Sequence, residues 1–389
     1  MKKRKRVILM VTTIVLMILF IFAPINSLCA SENETIKEQQ EEFKIQDFIK
    51  NSKEYTGEFF ENIDINEILN GAIKGEVDNS TLLKKILNLL GSEVINNIKA
   101  IVSILSIILI HSILKSISES LENDETAKLI YYVQYILIVT IIMTNFSDIV
   151  KLVQDTTSNL VGFMNVLVPL LISFMLYTGS ITTSSVIEPI ILFMINFIGN
   201  MIQNLIIPFV LILTSLVIIS KISDRVQIDR LSKFLKSGIV WFLGIVLTIF
   251  VGVVSLEGTI SSSVDGITAK TAKTVVSSAI PVVGKILGDA VDTVLGCGII
   301  LKNAVGLVGV IIVIGICIMP ILKLAVLSTF YKLLATLVQP VADGKIVSLL
   351  EQIGDIFKIF LGILSSVSFM LIIGTTLVLR MSNSSMMYR

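Results

Sequence analysis

Apolar blocks about as long as a bilayer is thick decide what this chain can be. They run from about Ile98 to Ile117, Ala127 to Phe146, Val161 to Thr178, Val186 to Ser220, Gly238 to Leu256, Ile299 to Met319 and Ile359 to Leu379. Each supplies roughly the ~20 residues a helix needs to cross a ~30 Å hydrocarbon core. Only 16% of the 389 residues are charged, against ~25% in soluble domains. A soluble fold would leave these blocks without a water-facing side. The expected fold class is all-α: a polytopic α-helical membrane protein with about seven to eight transmembrane helices after an N-terminal signal peptide.

The front end reads as an address. MKKRKR is basic, VILMVTTIVLMILFIFA is apolar, and Ser27-Leu28-Cys29-Ala30 offers small residues for cleavage, so residues 1–30 form a secretory signal. Leu28 is only a fair match at the −3 position and the apolar stretch is long, so an uncleaved anchor is the alternative. Residues 31–97 differ in character, with eleven acidic against four basic residues between Glu32 and Glu67. Apolar residues such as Phe43, Phe48, Phe59, Phe60, Ile63 and Leu69 recur at helical spacing. Short amphipathic helices outside the cytoplasm are expected. Their charges form a solvated face, and the apolar stripe is the better candidate for touching a partner.

Residues 98–389 make the membrane domain. The blocks at 127–146 and 161–178 read as two spans joined by the amphipathic, surface-lying SDIVKLVQDTTSNL. As one helix, Val186–Ser220 would be about 52 Å long, so a break is expected at Gly199, Asn200, Gln203, Asn204 and Pro208. A hairpin of two spans is the first reading, and a single broken helix lining a cavity is the second. Lys221, Arg225, Arg230, Lys233 and Lys236 place 221–237 in the cytoplasm by the positive-inside rule. Residues 258–298 are then extracytoplasmic or re-entrant. Ile321–Val338 is interrupted by Lys323 and Lys332. If it crosses the membrane the C-terminus is inside, and if it lies flat the C-terminus is outside.

Chemistry is scarce. Gly284-Lys285 and Gly344-Lys345 are each followed by isoleucine, so neither is a phosphate loop. His111 is the sole histidine, too few for H-E-x-x-H, and no G-x-S-x-G elbow occurs. Its place near a span end makes it an interfacial residue. One histidine and three cysteines rule out most histidine-rich or cysteine-rich metal sites by shortage; Cys297 and Cys317 read as packing residues. Not an enzyme, with no cofactor and no metal, is the expectation, and a net charge of +1 gives no argument for nucleic acid.

PVVGKILGDAVDTVLG, at 281–296, is the unusual stretch. Read as a helix, Val283, Ile286, Leu287, Ala290, Val291 and Val294 share an apolar face. Gly284, Gly288, Asp292 and Gly296 recur every four residues along another stripe, beside the i, i+4 pair Lys285 and Asp289. Glycines facing water would cost ~1 kcal/mol each against alanine. These six residues are the candidate helix-contact or vestibule site. An interfacial helix with no partner is the alternative. Glycine, alanine and serine are dense from Gly252 to Gly315, which suits close helix packing within the chain, or against copies of itself or other subunits.

The phrases VDGITAKTAK, IPVVGK, DAVDTVLG and LKNAVGLVGV, within 251–323, resemble the stage III sporulation protein AE family. The resemblance implies a membrane-core subunit of a secretion-like channel complex in the mother-cell membrane around the forespore. Its implied partners are the other stage III sporulation proteins, AA to AH, and indirectly stage II sporulation protein Q of the forespore, besides the lipid bilayer. It supplies no catalytic residues. A separate ATPase subunit would provide the energy, in keeping with the missing nucleotide motif. The alternative is a stand-alone solute permease, which a broken helix at 186–220 would favour.

Overall fold

The computed structural model describes residues 33–56, 58–60, 63–75, 79–120, 124–222, 229–279 and 283–384. The signal segment lies outside the described residues, as do the side chains of 257–293 and some others, His111 among them. Among the described residues there is no strand.

Three short helices come first: α1 (Asn33–Glu42), α2 (Ile45–Ser52) and α3 (Ile65–Lys74), with a 3-10 turn at Glu58–Phe60. Local chemistry sets their ends. Asp64 caps α3 by accepting the Asn66 N–H at 2.9 Å, which satisfies a donor the helix itself leaves open. Gly75 closes α3 at φ 76°, a left-handed turn that costs glycine no Cβ clash.

Seven longer helices follow: α4 (Asn79–Ser120), α5 (Asp124–Tyr177), α6 (Ile181–Met201), α7 (Ile207–Ser220), α8 (Asp229–Ala279), α9 (Val283–Val338) and α10 (Gly344–Ser384). Among the described residues, six stretches are long and apolar enough to cross a membrane: 91–114, 128–177, 181–220, 230–256, 294–338 and 344–380. The chain is an all-α polytopic membrane protein.

Three expected boundaries turn out to be helix interior. The blocks at 127–146 and 161–178 belong to one helix, α5, about 81 Å long at 1.5 Å per residue. The link between them has no glycine or proline. Its Ile149, Val153, Thr156, Thr157 and Leu160 are all buried, so helical spacing keeps one face on the bundle throughout. The run at 186–220 makes no hairpin. α6 passes into a π-helical turn at Ile202–Ile206 and on into α7 with right-handed helical dihedrals at both junctions. The amide patch thus loosens the helix by one wider turn instead of reversing it. Pro320 does not stop α9, which runs on to Val338. Ile321–Val338 is therefore neither a separate span nor a helix lying flat. The missing N–H at 320 forfeits one helix bond, while Leu324, Leu327, Tyr331 and Leu334 beyond it are buried.

True reversals carry recognisable stops. Between α5 and α6, Gly179 sits at φ 84°, with Gly179 N–H donating to Leu176 O at 3.0 Å and Ser180 N–H to Met175 O at 2.9 Å. That is the Schellman pattern. Between α9 and α10, Pro340 comes two residues after the last helical residue, Val338, where it cannot continue the helix.

α9 is the hub. Leu301, Val305, Val308, Ile312 and Val313 are all buried. α10 runs antiparallel beside it: the Ser368 hydroxyl donates to Cys317 Sγ at 2.7 Å and the Ser328 hydroxyl to Gly354 O at 2.8 Å. Cys297 and Cys317 are buried thiols, about 30 Å apart along one helix, too far to bridge.

The bundle has two chemically different ends. At one, the Tyr131 hydroxyl donates to Lys221 O at 2.8 Å and Tyr135 to Ile218 O, capping carbonyls that the end of α7 leaves open; Lys345 lies 5.7 Å over the Tyr131 ring. At the other end, a Cβ at Gly298 would meet Tyr177 at 3.1 Å, and Gly306 abuts Leu379. α1 joins that end through Gln39, whose amide donates to Tyr177 Oη at 3.2 Å and Val294 O at 3.0 Å.

Candidate functional site

The acidic segment's apolar stripe already has its partner, which is this chain's own bundle. Phe43 packs on Phe174 at 4.2 Å between ring centroids and edge-on to Tyr177 at 5.3 Å; Phe48 reaches Phe163 at 6.1 Å. Phe59 and Phe60 are buried, and Phe60 fills the space over Gly315 in α9. Burying aromatics this way is a large apolar contribution with specific ring geometry. The expectation that the stripe contacts a separate partner is thereby corrected.

Beneath these aromatics lies a cavity of about 280 Å³, walled by α4, α5, α9 and the 3-10 turn. Glu93 lines it at 8% exposure and is held by Asn97, whose amide donates to its carboxylate at 3.1 Å. Asp155 and Asn159 of α5 and Lys323 of α9 line the same space. Pro320 is part of the wall and leaves the Ile316 carbonyl without its helix donor. Polar groups, a missing helix bond and aromatic cover thus meet at mid-bundle.

A second polar cluster crosses three helices. Asp355 on α10 pairs with Lys332 on α9 at 2.5 Å and with Lys236 on α8. Room for it comes from Gly354, where a Cβ would lie 2.9 Å from Lys332 Cγ and 3.1 Å from Ser328 O. All three charges fall inside candidate spans. Ionisable groups in such segments pair with one another or face water; these do the first and, at 31–39% side-chain exposure, allow the second.

Lys302 stands apart. It lies in 294–338, the most apolar of the six candidate spans, and is fully buried, with its ammonium donating to Leu379 O at 3.4 Å. Neither Lys302 nor Asp355 is singled out by motif or spacing. The signal that finds Lys302 is its isolation: one lysine inside LKNAVGLVGVIIVIGICI, where a charge is costly.

Of the sequence-predicted contact residues, Gly284, Lys285, Gly288, Asp289 and Asp292 fall in the first turns of α9, and their side chains lie outside the described residues. Gly296 is described, and nothing comes within 4 Å of a Cβ built there. Close approach begins two residues later, at Gly298 against Tyr177, and continues along the helix. A Cβ at Gly309 would lie 2.5 Å from Leu167 Cδ2, and Gly315 meets Phe60. The small residues of 298–315 serve packing inside the chain.

The profile of the family described as "Stage III sporulation protein AE" matches residues 63–382. A similar curated protein is the "Stage III sporulation protein AE" of Bacillus subtilis (strain 168), 29% identical over 307 residues, which are 79% of this chain and 77% of that one. No solved structure matches the chain. The family match covers the whole six-span region from α4 to α10, so the chain belongs to the stage III sporulation protein AE family, with the role in sporulation that membership implies.

Proposed function

We propose that the chain is a membrane-core subunit of the stage III sporulation channel complex, placed in the mother-cell membrane around the forespore and assembled with the other stage III proteins. The carrying observation is the family match over residues 63–382. A subunit of this kind positions partners and needs no chemistry of its own. This reading carries a topology for the bundle's two ends. With the basic turn after Lys221 in the cytoplasm, α1, the hairpin arm of α8 and α9, and the C-terminal end of α10 face the mother cell–forespore gap. Stage II sporulation protein Q would then be met on that side, through other members of the complex. The stripe Gly284, Lys285, Gly288, Asp289, Asp292 and Gly296 lies in that arm and is proposed as a contact or vestibule surface. Mild-detergent purification of a tagged, functional chain from sporulating cells tests this reading: other stage III proteins should come with it, and their absence would remove it.

The stand-alone permease reading draws on the π-helical turn at 202–206 and the mixed-charge cavity beside Pro320, since broken helices and mid-bundle polar sites mark transporters. It predicts substrate-dependent thermal stabilisation of the isolated protein, which the subunit reading does not.

A further inference from the structure

The outward face of α6 carries amides where a lipid-facing helix has no use for them. Along it Phe193 is 65% exposed and Phe197 41%, their rings stacked at 5.9 Å. Asn196, Asn200 and Asn204 are exposed on the same side, followed by Phe209 at 39% and Ile212 at 51%. Asn204 lies inside the π-helical turn Ile202–Ile206, whose wider turn keeps Asn200 and Asn204, four residues apart, on one face.

Part of this amide row is satisfied locally. Asn196 and Asn165 of α5 exchange reciprocal hydrogen bonds at 3.1 and 3.3 Å, Gln203 donates to the Ser158 hydroxyl at 2.8 Å, and Asn204 donates to Asn200. α5 and α6 are close enough for this because Gly199 sits against Val161, 2.6 Å from a built Cβ. Asn196 also donates to Leu192 O at 2.8 Å, which fills its two donors, whereas Asn200, Gln203 and Asn204 keep donor and acceptor capacity left over. The row falls at the middle of the apolar stretch Ile181–Ser220, with exposed aromatics on both sides. Hydrocarbon offers no partner for that capacity, and amides between membrane helices act as glue.

We propose that this face docks a second copy of the chain, α6 against α6. Copies inserted by the same route share one orientation, so a two-fold contact has its axis along the membrane normal and is isologous. Each residue near the axis then meets its counterpart at the same depth. A row of lysines or carboxylates would repel itself in that arrangement. Asparagine is both donor and acceptor, so Asn200 can pair with Asn200 of the copy and Asn204 with Asn204, with the Phe193 and Phe197 rings packing above them.

The test is cysteine cross-linking of the full chain in native membranes. Cys297 and Cys317 are buried, so a Cys29→Ser background carrying one added cysteine reports on that position alone. Phe193→Cys and Asn200→Cys should each give a disulfide-linked species of twice the chain's mass upon mild oxidation. Ile136→Cys on α5, exposed at 62% but off this face, should not. The double variant Asn200→Leu with Asn204→Leu should weaken self-association in detergent at least tenfold while its thermal midpoint stays within a few degrees. If well-inserted Phe193→Cys and Asn200→Cys chains form no homotypic disulfide, or link only to a different polypeptide, the self-docking assignment is overturned.

Discussion

Phe60, in the 3-10 turn, sits so close over Gly315 of α9 that the ring occupies the space a side chain at 315 would need. The glycine is what lets the front end of the chain seat on the hub of the bundle. Gly315→Ala should therefore unseat that turn, at about 1–3 kcal/mol for overpacking. The measurements are the thermal midpoint in detergent and protease access to α1–α3; an unchanged cleavage pattern would show that the ring has room to move.

The same contact ranks two double variants. Phe59→Ser with Phe60→Ser removes buried aromatics, whereas Glu54→Gln with Glu58→Gln removes charges whose surface pairs typically contribute ~0–1 kcal/mol. Sporulation frequency should fall far more for the first pair. Equal tolerance of both would deny the seating any role in function.

Asp355 holds Lys236 and Lys332 together across three helices. Asp355→Asn leaves two ammonium groups facing an amide, and should cost about 1 kcal/mol given their partial exposure. Adding Lys332→Met should restore most of the loss, because the repulsion goes with the charge. A double-mutant cycle of thermal stability checks this, and additive losses would argue against coupling.

Sidedness can be read with a reporter active only outside the cytoplasm. Fused after Lys236 it should be silent, and after Ser263 active. Fused at the C-terminus it should be active as well, since Leu379 shares the bundle end of Tyr177 and Gly298 rather than that of Lys221. A silent C-terminal fusion would sink the six-crossing arrangement.

In the α9 stretch, Gly288→Leu should leave the protein in the membrane at normal level but block complex assembly and spore formation. Asp289→Asn, which keeps size and removes one charge, should be milder. Normal spore yield and co-purification in a stable Gly288→Leu chain would return the stretch to a plain surface helix.

Apolar blocks and the basic turn after Lys221 made the helical membrane fold legible from sequence alone. The number of helices was harder. Hydropathy cannot tell two spans with a surface link from one long helix whose link is amphipathic; Ile149, Val153 and Leu160 decide that only once they have something to pack against. The same holds at the amide patch, where a π-helical turn and a hairpin share one composition. Each misreading added one crossing before Lys221. The pair left the parity of spans before Lys221 intact. Lys302 and Asp355 escaped because single charges have no spacing to recognise.

α8 continues helically 23 residues past Leu256 to Ala279, and α9 begins 11 residues before Val294. Each extension is the same unbroken helix that enters the membrane bundle. A push or twist on residues 283–293 is therefore a mechanical load on Gly298, Lys302 and Gly306 of the same rod, delivered along hydrogen-bonded backbone.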